Sequence, residues 1–493
     1  MKAIFTTFML LSVYFAGSQV GINTDLPDPS SILHIYSESE GVLMPRMTTA
    51  QKLAIASPAT GLIIFDTSLN AFQFYDGTDW VYLSKSQRRD NYKLVKDISD
   101  LADELTAGSG SKYLLNTDYL YEINGTIVFD FPIDLNGAYI EGVDSSEDIL
   151  INNSSGSLFE GSKGGGLRNL TLSGSIPMGS KKQLFDINTT ATGELLLINN
   201  TIITNASKVG TIDGLSTVFL SVTQYVNNDD GFTINDINSF FVSNIFWTSS
   251  NTGTFMELLG SFTNLQMNGG RIEADNMETG IDVSANPAIV NDATLSQLSF
   301  VGAGTLINPY TTGTYAGFNF TKDWNVNCSG IPLETDAQAV GDINFNFTAG
   351  GGASTTFSSN GVPKKLAGAT TSNNLFRFSS SSDNRVVYEG KKKRFFNVSA
   401  SVSFEGNTPG DRYIFYIARG RAGDAVPTVI DQTGVWKVVP DGATVGATTI
   451  RDISAVPIVG VFDLEPNDYI EVWVERFSGT GQIFTVALNL ALN

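Results

Sequence analysis

The sequence predicts a mainly β protein: a right-handed parallel β-helix, followed by a C-terminal antiparallel jelly-roll domain and preceded by a small N-terminal α+β module. Three observations carry this expectation. Only 16% of the 493 residues are charged, whereas Gly (48) and Phe (32) are abundant, a balance that suits short strands and turns better than long surface helices. A hexad recurs as Leu167-Arg-Asn-Leu-Thr-Leu172, Val242-Ser-Asn-Ile-Phe-Trp247, Phe262-Thr-Asn-Leu-Gln-Met267 and Leu295-Ser-Gln-Leu-Ser-Phe300. Beyond residue 395 the pattern becomes an alternation of apolar and polar residues, as in Phe396-Asn-Val-Ser-Ala-Ser-Val-Ser-Phe404.

The elements follow in chain order. Residues 1–18 hold an apolar core after Lys2, with Ala16 and Ser18 spaced as a cleavage site needs, so they are expected to be an export signal or an apolar anchor. Residues 19–83 are expected to form an attachment or assembly module. Within it, residues 49–56 suit a short helix capped by Thr48 or Thr49 and ended by Pro58, and residues 62–66 and 71–75 suit two strands around a turn at 68–70. Such a module is too small to bury much apolar surface alone, so assembly with copies of itself or docking to a base is expected. Residues 84–108 are the most helix-like part. Leu94, Ile98, Leu101 and Leu105 make one apolar stripe, as in a helical neck or a cap on the next domain.

Residues 109–345 are assigned to the β-helix. Each hexad has apolar residues at positions 1, 4 and 6 and an amide at position 3. A β-helix coil must turn apolar groups into its bore, while corner amides can stack along the axis. The hexad starts differ by 75, 20 and 33 residues, compatible with coils of about 20 to 30 residues and uneven loops. A small-residue break at 349–361 leads into the jelly roll at 346–493, whose strands are separated by turns near 405–411 and 465–468.

The chemistry to look for is limited. A formal net charge of -20 argues against a nucleic-acid partner, and the basic run Lys391-Lys-Lys-Arg394 reads as a solvated turn. Cys328 and His34, each the only one of its kind, have no companion for nucleophilic catalysis. No phosphate-loop, dinucleotide or zinc pattern is present, and no metal or cofactor is assigned. Gly164-Gly-Gly166 precedes a strand-like segment, where a phosphate loop would lead into a helix.

If the solenoid cleaves polysaccharide, Asp229, Asp230, Glu273 and Asp275 are the catalytic candidates, with Glu278 beside them. Glycoside hydrolysis needs two carboxyl groups converging at roughly 5 to 10 Å, which adjacency in sequence does not supply, and Asp229-Asp230-Gly231 also reads as a turn. Trp247, Arg271, Tyr310 and Trp324 are the ligand-binding candidates, with Phe246 and Tyr315 near them. Aromatic faces stack on sugar rings and Arg suits anionic sugars, although core packing competes for each aromatic and an ion pair with Glu273 competes for Arg271.

Val20-Gly-Ile-Asn-Thr24, Gly41-Val-Leu-Met-Pro-Arg-Met-Thr-Thr-Ala-Gln51, Ser57-Pro-Ala-Thr-Gly-Leu62 and Tyr75-Asp-Gly-Thr-Asp-Trp80 resemble a module of exported Bacteroidetes surface proteins and of fibre proteins of their phages. Lys96-Asp-Ile-Ser-Asp-Leu101, Tyr121-Glu-Ile-Asn-Gly-Thr126 and Leu135-Asn-Gly-Ala-Tyr-Ile-Glu-Gly142 are similar to the opening of β-helical phage spikes. Asn374-Leu-Phe-Arg-Phe378 and LEPNDYIEVW at 464–473 are similar to a trimeric, tumour necrosis factor-like jelly roll of phage fibres. The resemblance implies a homotrimeric fibre or spike on the virion surface, joined to other virion proteins through its N-terminal module and attaching to a host-surface glycan or protein. It brings no catalytic position, so the chain is expected not to be an enzyme. A polysaccharide-degrading β-helix and an exported adhesin, secreted or on the cell surface, are the alternatives; the signal-like start departs from the phage pattern and keeps an exported bacterial or prophage-encoded protein in play.

Overall fold

A computed structural model describes residues 19–83, 90–381, 383–445 and 448–493, in two compact units, Met1–Asp90 and Asn91–Asn493. The apolar segment expected at 1–18 and residues 84–89 of the expected neck lie outside the described residues.

In the first unit, Arg46–Met47, Ile63–Asp66, Ala71–Tyr75 and Trp80–Tyr82 form a four-stranded sheet beside the helix Thr49–Leu53. Thr48 starts the helix through a reciprocal cap: its side chain accepts the Gln51 N–H, and the Gln51 side chain accepts the Thr48 N–H. Lys52, on the last turn, is buried and reaches Asp66 Oδ2 at 2.9 Å while also donating to Gln73. Asp66 further accepts the Thr49 hydroxyl at 2.9 Å and the Ser68 and Leu69 N–H groups at 2.9 and 3.2 Å. One carboxylate thus ties helix, sheet and turn together. Burial pushes the Asp66 carboxyl up, but Lys52, Thr49 and the two amides outweigh it and hold it down at about 2.

The chain ahead of this sheet is different. Among its described residues the one strand pair is Val20–Ile22 with Leu33–Ile35, in parallel, and Val20, Ile22, Leu26, Ile32, Leu33, Val42 and Leu43 are exposed.

The second unit opens with a parallel β-helix of about nine coils. One sheet is built mostly from the longer strands, recurring from Tyr92–Val95 to Trp324–Ser329, and the other from short ones, from Tyr113–Leu114 to Thr305–Asn308. Tyr121, Ile140, Leu167, Ile198, Leu220, Val242, Met267, Leu295 and Val326 stack in one inward column along the bore.

Six successive long strands bend at the same rung, where Asn169, Asn200, Val222, Asn244, Gly269 and Gln297 all take positive φ, between 50° and 77°. The left-handed residue resets the in–out alternation, so hexad positions 1, 4 and 6 all point inward, as Leu167, Leu170 and Leu172 do. Asn occupies the corner because it tolerates this conformation best after Gly. It also links coils, since Asn200 Nδ2 donates to Asn169 Oδ1 at 2.9 Å.

The hexad at Phe262 is the exception. That coil turns at Gly269, and Met267 rather than Phe262 fills the inward column, because a Gly-Gly pair supplies the positive φ without an amide.

The second sheet has its own column: Phe159, Phe185, Gly210, Phe232, Met256, Ile281 and Ile307. Phe159 and Phe185 stack at 5.0 Å, and Phe185 also reaches Phe232, two coils on, at 5.8 Å. That second contact requires Gly210 between them, where a Cβ would lie 2.5 Å from Phe185.

The ends of the helix differ from the sequence-based boundaries. Tyr92–Val95 already pairs with Leu120–Ile123, so Leu94 lies in a strand, and only Ile98, Leu101 and Leu105 of the expected stripe sit on the helical turns that close the bore. At the other end, Val340–Asn346 and Ala353–Thr355 pair with the last strand, Ile483–Leu492. The small-residue stretch at 349–361 therefore lies inside the C-terminal domain. Two antiparallel sheets share that domain's core. One centres on Ile483–Leu492 and Arg394–Gly406, the other on Tyr469–Ser478 and Arg412–Gly420.

Two outcomes are expected. Gly210→Val forces Phe185 and Phe232 apart and costs about 1–3 kcal/mol, read as a lower urea midpoint for the second unit; an unchanged midpoint would show that the bore is slack there. In the first unit, Asp66 has a folded pKa of about 2, below its unfolded value of about 3.9, so its contribution is complete above the unfolded value and is lost as pH falls toward 2. Hydrogen-exchange protection factors of Ile63–Asp66 and Ala71–Tyr75, taken against the intrinsic rate at each pH, should therefore fall across that window, and Asp66→Asn should remove the pH dependence.

Candidate functional site

Past the corner, each long strand carries alternate residues outward, and register aligns them into columns. Thr171, Ile202, Gln224, Phe246, Arg271 and Ser299 occupy successive rungs of one such column. Rungs are about 4.8 Å apart. Phe246 is 42% exposed and lies between Gln224 and Arg271, both also exposed. The Arg271 guanidinium reaches Glu273, the next outward residue on its own strand, at 3.6 Å.

Toward the N-terminal coils, Thr171 together with Ser173 and Thr204 from the neighbouring outward column line a groove of about 400 Å³ under the overhanging loop that carries Ile176, Pro177 and Met178. Groove and aromatic ledge share one face of the β-helix. The face offers an apolar ring, amide and hydroxyl groups, a guanidinium and a carboxylate, the combination that holds a polyhydroxylated chain.

The other predicted residues are placed elsewhere. Trp247, Tyr310 and Trp324 are buried and unavailable for stacking on a sugar, which corrects their assignment as ligand-binding residues. The reason is register. Trp247 is position 6 of its hexad and enters the bore column Leu172, Ile203, Tyr225, Trp247, Ile272 and Phe300. Trp324 and Tyr310 close the last coil, the Trp324 indole N–H donating to the Tyr310 hydroxyl at 2.9 Å. Tyr315 packs edge-on against Phe376 and donates to Glu389 at 3.1 Å.

Asp229 pairs with Lys181 at 2.6 Å, and Asp230 accepts the Thr254 N–H at 3.0 Å, so each of these adjacent carboxylates is held by its own partner. Asp275 stands in an exposed turn closed by its N–H to Glu278 Oε2 at 2.7 Å. His34 accepts the Asp28 N–H on Nδ1 at 3.0 Å, and burial pushes the Cys328 thiol up. Among the described residues no group of three or more His, Cys, Asp or Glu is arranged to hold a metal ion.

Residues 21–98 match the family model described as "Phage tail like trimerisation region". The curated proteins contain no match. Among solved structures, the chain is similar to the enzymatically active domain of tailspike protein 4 of bacteriophage CBA120, at 11% identity over 92% of this chain and 77% of that one, with a TM-score of 0.25. It is similar to Pantoea stewartii WceF, titled a glycan biofilm modifying enzyme with a tailspike-like parallel β-helix fold, at 10% identity over 90% and 71%, with a TM-score of 0.27. The third is the phiAB6 tailspike, solved in complex with oligosaccharides of the Acinetobacter baumannii surface polysaccharide, at 12% identity over 86% and 98%, with a TM-score of 0.19. The expectation that the chain is not an enzyme is corrected by these matches, two of whose titles name enzymatic activity.

The geometry separates neighbouring aromatics by role. Trp247→Ala should cost about 3–5 kcal/mol in chemical denaturation, whereas Phe246→Ala should stay within about 0.5 kcal/mol of the parent; equal losses would place Phe246 in the core.

Proposed function

We infer that the chain is a homotrimeric, phage tail-like spike or fibre that engages a host-surface glycan along the outer face bearing Phe246 and Arg271. The observation that carries the assembly is the exposed apolar series Val20, Ile22, Leu26, Ile32, Leu33, Val42 and Leu43, within a segment that the trimerisation model largely covers. So much apolar surface on so little secondary structure calls for partners, and symmetry-related copies of the same segment supply them. The same module would join the spike to other virion proteins, on the tail or the capsid. The C-terminal sheets, read as a jelly roll, would add trimer contacts of their own. A host among the Bacteroidetes rests on the sequence resemblance of residues 41–51 and 75–80.

A second reading, cleavage of the bound glycan, is favoured by Glu273, a carboxylate beside the Phe246 and Arg271 pair. It needs a second carboxyl group across the scissile bond.

One experiment addresses both. The full chain should run at three times its chain mass in sedimentation velocity, and Leu26→Asp with Leu43→Asp should shift it toward monomer. Incubated with surface polysaccharide purified from a host strain, the trimer should retain it, and Phe246→Ala should weaken retention at least tenfold. Shortened glycan that disappears in Glu273→Gln establishes cleavage. A monomeric parent that retains no polysaccharide overturns the proposal.

A further inference from the structure

A cleft of about 530 Å³ opens where the last coil of the β-helix meets the basic turn at 391–394 of the C-terminal domain. The turn is tethered to the coil rather than simply solvated. Asp336 Oδ2 accepts the Lys391 and Lys392 N–H groups at 2.8 and 3.0 Å, and Arg394 donates to the Asp336 carbonyl. The Lys391 ammonium donates to the carbonyls of Asn291 and Asp323 at 3.1 and 2.8 Å. Lys393 pairs with Asp463 at 2.8 Å. Lys392 is left over: it is exposed, lines the cleft, and has no ion-pair partner among the described residues.

Most of the charge around the cleft is paired: Arg377 faces Asp336 at 3.5 Å, Lys391 faces Asp323 at 3.9 Å, and Lys393 is held by Asp463 and Glu465. The cleft is lined by five cations, Arg377, Lys391, Lys392, Lys393 and Arg394, and three anions, Asp292, Asp323 and Asp336, in a protein of net charge -20. What the cleft offers an acidic molecule is therefore the unpaired ammonium of Lys392 rather than a wall of net positive charge. Opposite the turn, Thr294 and Asn325 offer hydroxyl and amide groups suited to ring hydroxyls.

We propose that this cleft binds an acidic saccharide, with Lys392 as the ion-pair partner of a uronate carboxylate and Thr294 and Asn325 as hydrogen-bonding partners of the sugar ring. The proposal rests on the glycan-engaging reading above, but the site is separate from the Phe246 face. The preformed turn means that only Lys392 has to be ordered on binding.

The test uses the full chain and ligand-observed NMR titration with D-glucuronate, D-glucose and inorganic phosphate. Glucuronate should bind saturably and glucose should not. Lys392→Glu should weaken glucuronate binding at least tenfold and Lys392→Arg should retain it; Lys392 is exposed, so these variants should fold. Loss in Phe246→Ala but not in Lys392→Glu would overturn the cleft and leave the outer-face reading standing. Loss of polysaccharide retention by no Phe246 variant, with Lys392 dependence intact, would do the reverse. Phosphate bound as tightly as glucuronate would mean an adventitious ion only, and would overturn the proposal. So would a Lys392 that amine labelling cannot reach in the assembled protein.

Discussion

The long-strand sheet depends on one backbone conformation repeated at one rung. An extended strand cannot wrap a bore by itself. Here the wrap is made by a left-handed residue at 169, 200, 222, 244, 269 and 297, stacked coil upon coil. Holding a non-glycine residue there costs roughly 1–3 kcal/mol, and Val222, being β-branched, is the least suited. The ladder on either side compensates, because slipping one coil by a residue would expel its inward side chains to the surface. Just past the corner, Thr201 and Thr223 are buried, and their hydroxyls donate to the carbonyls of Asn199 and Ser221 at 3.0 and 3.4 Å. A polar side chain can face the bore there because the bend itself presents an acceptor.

Open ends are the second problem of a solenoid, and this chain closes them by different means. At the first end, helical turns lay Leu101 over the bore, and buried Glu104 pairs with Lys93 at 2.6 Å and accepts the Tyr121 hydroxyl at 2.9 Å. At the other, Arg377 reaches from the C-terminal domain into the last coil and donates to the carbonyls of Trp324 and Glu334. Burial pushes the Glu334 carboxyl up, against the Asn319 and Phe320 amides and the nearby Arg377 guanidinium. Phe318 stacks on Phe376 at 4.0 Å across the same junction. The junction is therefore a packed interface with a buried polar centre, and a cleft beside it keeps its shape.

Three of the four hexads fall in register, and the antiparallel strands near 396–404, 412–418, 469–474 and 484–492 are where the alternation places them. The coils at 195–204 and 217–226 are hidden in the sequence because Thr201 and Thr223 stand where the hexad asks for an apolar residue, and Val222 stands where it asks for an amide. The outer face is only half legible. Phe246 and Arg271 stand out as an aromatic and a cation, but that they share a column with Gln224 follows from a register that no local pattern reveals. Trp247 misleads for the same reason, since the corner residue three positions earlier decides which of two adjacent aromatics faces the bore. The cleft at 391–394 is invisible from local pattern, because the contacts that form its walls span 55 to 100 residues of chain.

Inside and outside of such a solenoid answer to different demands. An inward residue is held by the rungs above and below it, as Gly210 is by Phe185 and Phe232, and its replacement disturbs three coils. An outward residue touches mainly its column neighbours and solvent, so a change at Phe246 or Arg271 leaves the bore intact. Recognition can therefore vary along the outer columns while the fold stays constant, provided that the ends stay closed. The two sites proposed above differ in chemistry, which would suit a long and heterogeneous ligand. The proposed ledge would take the faces of sugar rings and the proposed cleft their acidic substituents, and a single polysaccharide spanning both would gain effective concentration from the rigid coils between them.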